Sequence, residues 1–260
     1  MTDLQTACAA LEQIAPTGLA GSWDNVGLLV EGTRQVERIG LCIDLTEPVL
    51  AELADADVDL IISYHPPIFG GLKRITQDVP LQRVVAAVLR SGRHLYAPHT
   101  ALDAARGGMA EWLADGLGPA AACVPVDPRP DQPDVGVGRQ GTLAAPRSLR
   151  ELLPGLRAHL GIAHLRVAGD LDQPRSSFAV CPGSGGGVFK GAPGLDLYVT
   201  GEWSHHDVLA QVARGGAVVL TDHTQCERGY LPFYADKIRA ALPGVSVRVS
   251  EQDADPLVIL

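Results

Sequence analysis

The sequence predicts an α/β fold built on mixed, largely parallel sheets, because short apolar runs alternate with amphipathic segments along nearly all of its 260 residues. The run Leu60–Ser63 is apolar without alternation, which is typical of a strand buried on both faces. The apolar positions between Leu81 and Leu89 recur at helical spacing, which indicates a buried helix face. The same alternation continues in the second half of the chain.

Strands are predicted at the short apolar runs Ile39–Ile43, Leu60–Ser63, His94–Ala97, Leu165–Ala168, Phe178–Cys181, Leu197–Thr200, Ala217–Thr221 and Val245–Val249. Helices are predicted at the amphipathic segments Leu4–Ile14, Val49–Leu53, Leu81–Leu89, Ser148–Leu160, Asp207–Ala213 and Phe233–Leu242, with another after Gly107 and Gly108. Thr2 and Gln5 have the spacing of a capping box for the first helix. Pro154 is expected to kink or split the helix in which it falls.

The segment Pro125–Pro133 is the predicted boundary between two α/β halves of similar size. Four prolines fall in these nine residues beside three aspartates, a composition that makes a stiff and solvated connection. We therefore expect an N-terminal half at residues 1–124 and a C-terminal half at residues 134–260.

Charge and cysteine content narrow the class of protein. Lysine and arginine total 21 against 30 acidic residues, a formal charge of −9, which argues against a broad nucleic-acid-binding face. No apolar run reaches the roughly 18 residues that span a bilayer, and no signal peptide is evident. The five cysteines are widely spaced and form no C-x-x-C pair, so we expect free thiols in a reducing cytoplasm.

Metal-ligating residue types follow three of the predicted strands. His65 follows Leu60–Ser63, His99 and Asp103 follow His94–Ala97, and His223 and Glu227 follow Ala217–Thr221. Functional groups in parallel sheets collect beyond the carboxyl ends of strands, and this ligand mixture suits Zn, Mn, Fe or Co. The alternatives are ordinary ones: Asp103 could cap a helix, and the other residues could be surface groups.

Five segments, in order, resemble the GTP cyclohydrolase 1 type 2-like family, also called the Ngg-interacting-factor-like family. The matching segments are Ser22–Leu28, Leu60–Phe69, His99–Ala104, Thr200–Glu202 with His205 and His206, and Asp222–Arg228. Together they span most of the chain, and their order makes the resemblance specific. The chain would be a short member, lacking the domain that longer members insert between the halves.

The resemblance implies a site for two divalent cations built from His65, Asp103, His223 and Glu227, with His99 as a further ligand. It also implies two intertwined α/β domains, a ring-shaped homohexamer, and hydrolysis of GTP with release of formate. A hydrolase of another phosphoester or cyclic amide is the alternative within enzymes. A metal-binding scaffold or regulatory interaction protein is the alternative outside them, since fold and ligands are shared more widely than substrate.

Two positions depart from the family pattern. Tyr64 stands where many bacterial members have a second histidine, and a phenol with a pKa near 10 is a poor ligand at neutral pH. Cys226 stands where a small hydroxyl residue is expected; it could be a ligand, but a buried thiol outside the coordination shell is favoured.

Several other polar residues have two interpretations each. Glu202 and His206 lie four residues apart at the start of a predicted helix, so they could share a face of it. Either could act as a general acid or base, or could orient a metal ligand. The Gly183–Gly187 run could cradle a phosphate or form a tight turn. Asp24 and Asn25 are interpreted as a structural turn. Candidates for binding an anionic substrate are the cations of Arg139 and Arg228.

Overall fold

The computed structural model describes residues 2–259 and divides the chain into two compact units. The first unit comprises the chain up to Leu102 together with everything from Leu231 onward, and the second comprises Asp103–Tyr230. The chain thus leaves the first unit, builds the second, and returns. Among the helices of residues 2–259, none is both long and apolar enough to cross a membrane.

The first unit contains α-helices on a five-stranded sheet. Its elements are α1 Leu4–Ile14, β1 Gly27–Val30, β2 Arg38–Cys42, α2 Glu47–Asp55, β3 Leu60–Ser63, α3 Pro80–Ser91, β4 His94–Ala97, and, after the chain returns, the last helix Leu231–Ala241 and the last strand Ser246–Val249. The sheet order is β1, β4, β3, β2 and the last strand; all neighbours are parallel except β1 with β4. Strand β3 is buried at every position, as expected for a strand inside a parallel sheet.

The second unit contains a six-stranded sheet. The boundary between the two units falls within a short helix, α4 His99–Ala104. The later elements of the second unit are α5 Met109–Asp115, β5 Ala120–Val124, β6 Asp127–Arg129, β7 Gln132–Val137, β8 Arg139–Arg147, α6 Leu149–Leu160, β9 Arg166–Ala168, β10 Arg175–Ser184, β11 Leu197–Glu202, α7 His205–Ala213 and β12 Ala217–Leu220. Strands β10, β11 and β12 are adjacent and parallel. On one side β8 pairs antiparallel with β10, and β5 pairs antiparallel with β8. On the other side β9 pairs antiparallel with β12. The last helix of the chain, Leu231–Ala241 in the first unit, is α8, and the last strand, Ser246–Val249, is β13.

The chain therefore has the α/β architecture with mixed sheets that the sequence predicts. The first unit's sheet is largely parallel, and the second unit's sheet has three adjacent parallel strands, β10, β11 and β12. In the first unit, β2, β3 and β4 end at one edge of the sheet; in the second, β10, β11 and β12 do the same. The loops after these strands contain most of the polar residues singled out above.

The structural division does not fall at Pro125–Pro133. That segment forms the β6–β7 hairpin inside the second unit, paired from Asp127 with Val137 to Arg129 with Gln132. The last part of the chain belongs to the first unit because β13 pairs with β2 and α8 packs against α1. Strand β1 and this hairpin were not predicted, since neither has a strong alternating pattern.

Helix α1 begins differently from the prediction. Asp3, not Thr2, is its N-cap, and the Asp3 side chain accepts the Thr6 N–H at 2.7 Å. Thr2 instead forms a β-bridge with Val36, which removes it from the capping position. Asp3 is an equally good capping residue, so local sequence alone did not separate the two.

Helix α6 is one continuous element that contains Pro154, so of the two expected effects, a kink or a split, the split does not occur. The buried positions Leu149, Leu152, Leu156 and Leu160 lie on the opposite face, and Pro154 is exposed. A proline there removes one hydrogen bond to a carbonyl that water can reach, while the leucine face keeps its packing.

We expect Pro154→Ala to raise the free energy of unfolding by about 1–3 kcal/mol, because alanine restores the missing helix hydrogen bond. Chemical denaturation measures the change. Gly155→Ala, at the next exposed position of α6, is the control and should add about 0.5–1 kcal/mol. A destabilised Pro154→Ala protein would contradict this account of α6.

Candidate metal centre

Two histidines lie together at the carboxyl edge of the first unit's sheet. His65 follows β3, where the Ser63 hydroxyl donates to the His65 carbonyl at 2.7 Å and holds the loop. His99 follows β4 and begins α4 with φ at +33°. The ring centroids of His65 and His99 are 5.4 Å apart, edge to face. Parallel pairing of β3 with β4 thus brings these two predicted residues side by side.

Each of these histidines is hydrogen-bonded through Nδ1 to a carboxylate. The His65 Nδ1 lies 2.9 Å from an Asp44 oxygen, and the His99 Nδ1 lies 2.7 Å from an Asp24 oxygen. An ionised carboxylate only accepts hydrogen bonds, so Nδ1 is the donor in both contacts; in the neutral ring this arrangement leaves the lone pair on Nε2. Burial raises the pKa of Asp24, but hydrogen bonds from His99 and Thr100 outweigh this, and its pKa falls below the usual value.

Tyr64 lies between the same residues. Its buried ring contacts His65 and His99, with centroids 5.0 Å and 5.4 Å away. The Tyr64 ring packs beside the two imidazoles, and this packing is compatible with the expectation that its phenol is a poor metal ligand.

The second unit places His223 and Glu227 together. A single 3₁₀ turn, Thr224–Cys226, separates them after β12, and the His223 Nε2 lies 3.8 Å from a Glu227 carboxylate oxygen. Glu227 is almost completely buried. The His223 Nδ1 is 3.1 Å from the Glu202 carboxylate at the end of β11, so Nδ1 is the donor in this contact too.

A glycine keeps the space in front of these two groups open. Gly183, at the end of β10, has φ at +59°, and a Cβ there would lie 2.9 Å from a Glu227 oxygen and 3.1 Å from the His223 Nε2. Any side chain would occupy the space at the two atoms that a cation would contact. The chemistry of these donors and the open space beside them fit a divalent cation.

Asp103 lies in α4, buried in the second unit. Burial, and then the charge of Asp103, raises the pKa of the Cys181 thiol. Burial, and then the charge of Glu227, raises the pKa of Cys226 to about 12. The Cys226 sulfur also accepts the Gly183 N–H at 3.2 Å and donates to the His223 carbonyl at 3.1 Å. Cys226 is therefore a protonated packing residue that holds the Gly183 and His223 loops together.

The Gly183–Gly187 run is used within the protein. The Gly183 N–H donates to Cys226, and the Gly185 N–H donates to the Thr200 hydroxyl at 2.9 Å. These two amides are thus already occupied, which favours the tight-turn interpretation over a phosphate cradle.

Arg139 is not available to a substrate. Its side chain is 1% exposed, contacts Glu111 at 2.9 Å, and donates at 2.7 Å to the carbonyls of Gly136 and Gly138. The prediction that it binds an anionic substrate is therefore wrong, because the guanidinium joins β8 to neighbouring loops. Arg228 donates to the Thr224 hydroxyl at 2.8 Å.

Glu202 and His206 do not share a helix face. Glu202 ends β11, and α7 begins after Ser204, whose hydroxyl accepts the Asp207 N–H at 3.2 Å. Glu202 contacts His223, whereas His206 lies exposed in the first turn of α7, its ring 5.5 Å from that of His205. The N-cap at Ser204 breaks the spacing on which the shared-face interpretation depended.

Two carboxylates that contact histidines were missed or misinterpreted. Asp24 was interpreted as part of a turn, and Asp44 was not singled out. Asp44 follows the end of β2, so the strand-end argument applied to His65 would have found it. No local signal pointed to Asp24, because its partner His99 is 75 residues away.

The fold and these groups define an α/β protein with histidines and carboxylates collected at the ends of parallel strands. The chain belongs to the family described as Duf34/NIF3 (NGG1p interacting factor 3), whose model matches residues 2–256. It is 40% identical to "Protein NIF3 homolog" of Schizosaccharomyces pombe over 96% of this chain and 95% of that protein.

Two further comparisons show a relative whose name refers to an activity and a solved structure with a similar fold. A Clostridium perfringens protein called "GTP cyclohydrolase 1 type 2 homolog" is 31% identical over 95% of each chain. The crystal structure of a Bacillus cereus protein related to NIF3 superposes with a TM-score of 0.86 at 19% identity, covering 98% of each chain. The second comparison supports the fold alone.

We expect Arg139→Met to lower the free energy of unfolding by about 3 kcal/mol, because it leaves Glu111 and two carbonyls without their buried partner. Denaturant unfolding provides the measurement. The matched control is Arg106→Met, which removes an exposed pair with Asp134 and should cost less than about 1 kcal/mol. Equal losses in the two variants would show that Arg139 is not a structural residue.

Proposed function

We propose that this protein is a metal-dependent hydrolase in which His65, His99, Asp103, His223 and Glu227 bind divalent cations. The observation that carries the proposal is the hydrogen bond from Nδ1 to a carboxylate at His65, His99 and His223. Histidines that bind metals usually donate their second ring nitrogen in this way, which fixes the tautomer and orients the ring.

The donor set suits Zn, Mn, Fe or Co, and we propose two cations per subunit because the family resemblance implies that number. The exposed fractions of the partner carboxylates differ, from 0% for Asp24 to 43% for Asp44 and 57% for Glu202. A buried partner holds its histidine more firmly than a solvated one, because water competes less for the hydrogen bond.

A bound cation would supply Lewis acidity, lowering the pKa of a coordinated water from about 16 towards 7. Glu202 holds His223 in the orientation that such binding requires. The exposed imidazole of His206 is the group we assign to proton delivery, because imidazole is the side chain that most often serves as a general acid or base in catalysis. Glu202, which touches His223, is the alternative proton donor.

The substrate we propose is GTP, as the name of the Clostridium perfringens relative suggests. One water adds to the imidazole carbon of guanine and a carbon–nitrogen bond breaks, which leaves a formamide. A second water hydrolyses the formamide to formate and an amine. A proton must reach each departing nitrogen, and this is the step for which His206 or Glu202 is required.

An exposed aromatic surface beside His99 supports a substrate that contains a flat ring. Trp23 and Phe69 are 64% and 53% exposed, and their ring centroids are 5.9 Å apart. Each lies 6.2 Å from the His99 ring, edge to face. Exposed aromatic side chains next to catalytic groups commonly stack on planar substrates.

The family description also names an interaction factor, so a metal-binding scaffold remains the second candidate. In either case we propose assembly into a homohexameric ring.

The metal site itself separates the two candidates. Catalytic metal sites keep an open coordination position, whereas structural metal sites fill all of their positions. A structure of the metal-loaded protein that shows a coordinated water therefore favours the hydrolase.

We expect His223→Ala to lose bound metal and to reduce formate release from GTP by at least about 100-fold, because one ligand and its paired carboxylate no longer act together. Metal content per subunit and formate production by the Mn-, Zn- or Fe-loaded protein are the measurements. His164→Ala, which removes an exposed histidine of the same unit, should change neither.

The results of these metal and formate measurements distinguish the hydrolase from the metal-binding scaffold. A loaded protein that releases no formate from GTP contradicts the cyclohydrolase version, and a screen over phosphoesters and cyclic amides then tests the broader proposal. A His223→Ala protein that folds but no longer assembles supports the scaffold.

We expect Trp23→Leu to weaken binding of GTP to the metal-loaded protein by about 1–3 kcal/mol, through loss of ring stacking. Isothermal titration provides the affinity. Phe233→Leu is the control, since Phe233 is also an exposed aromatic residue but lies on α8, which packs against α1 and β13. Unchanged affinity in Trp23→Leu would exclude stacking on this surface.

A further inference from the structure

Asp24 is a fully buried carboxylate in a segment that is neither helix nor strand. Its side chain is 0% exposed, while the adjacent Trp23 is 64% exposed. Burying a charge is costly unless every oxygen is hydrogen-bonded. Here one oxygen accepts from the Asn25 N–H at 2.8 Å and from the His99 Nδ1 at 2.7 Å. The other accepts from the Thr100 hydroxyl at 2.5 Å and the Thr100 N–H at 3.2 Å.

A local turn does not explain this arrangement. Only the bond to Asn25 is local; the other three cross 75 or 76 residues to reach the start of α4. His99 is also held with φ at +33°, a backbone conformation that side-chain-bearing residues rarely adopt. The surrounding contacts must maintain that conformation, and Asp24 supplies them to both His99 and Thr100.

We propose that Asp24 is a positioning residue for His99: its carboxylate holds the proton on Nδ1 and the ring in place, so that Nε2 is presented to a divalent cation. The inference rests on the proposed function, because it assigns the ligand role of His99 to that site. Asp24 is the most shielded of the three carboxylates bonded to histidines, so its effect on the tautomer is the strongest.

Two side chains next to Asp24 also make hydrogen bonds to other segments of the chain. The Thr100 hydroxyl also accepts the Gly21 N–H at 3.0 Å, which ties the segment before Trp23 to α4. Asn25 donates through its side chain to the Ile68 carbonyl, which ties it to the loop after β3. The loops are thus anchored by Thr100 and Asn25, and the distinctive contact of Asp24 is the one to His99.

The test measures the tautomer of His99 in the metal-free full chain by ¹⁵N-histidine NMR, with the signal assigned from a His99→Gln variant. In the native protein we expect Nδ1 protonated and Nε2 unprotonated. Asp24→Asn removes the charge and should produce a mixture of tautomers or the reverse one. It should also lower Zn or Mn affinity by about 10–100-fold, the usual effect of losing such a partner.

Two further variants separate positioning from stability. Asp59→Asn alters another buried carboxylate of the same unit, bonded to the Glu37 and Arg38 N–H groups at 3.0 Å and 2.9 Å. It should leave the tautomer and metal affinity unchanged even if it destabilises the fold. Thr100→Val removes a loop anchor but keeps the charge of Asp24, so the native tautomer should persist.

The Nε2-protonated tautomer in the native protein would overturn the proposal, and this measurement stands even if Asp24→Asn fails to fold. Equal losses of metal affinity in Asp24→Asn and Asp59→Asn would also overturn it, because both would then act through stability. The tautomer is recorded without metal or substrate. A protein that binds metal but releases no formate therefore contradicts the hydrolase and leaves the role of Asp24 intact.

Discussion

Parallel pairing of adjacent strands determines where the polar groups of this protein lie. Strands β2, β3 and β4 end at one edge of the first sheet, and Asp44, His65 and His99 follow them. Strands β10, β11 and β12 do the same in the second sheet, where Gly183, Glu202 and His223 lie. Short strands with continuous apolar burial leave no other place for these groups, because only the loops beyond the strands reach solvent.

The hydrogen bond from imidazole Nδ1 to a carboxylate then gives these histidines a defined chemistry. It occurs three times, at His65, His99 and His223, each time with a carboxylate from a different segment. The three partners span the range from fully buried to more than half exposed. The buried carboxylate of Asp24 holds its histidine ring firmly, whereas the more exposed carboxylates of Asp44 and Glu202 leave their histidine rings freer to move.

Packing between loops is as specific as the polar contacts. A Cβ at Gly183 would meet the His223 Nε2 and a Glu227 carboxylate oxygen, and the Gly183 N–H donates to the Cys226 sulfur. The cysteine that departs from the family pattern therefore has a structural reason to be there. Tyr64 similarly packs its ring against two imidazoles.

The sequence by itself determined the fold class, most of the strands and the residues beyond their ends. These follow from apolar patterning over four to twelve residues, which local physics controls. The tertiary structure decided the rest: that Arg139 is buried, that Pro125–Pro133 is a hairpin, that the chain's last segment completes the first sheet, and that Asp24 contacts His99. Each depends on contacts between residues far apart in the chain, and no periodicity within one segment records which distant segment will pack against it.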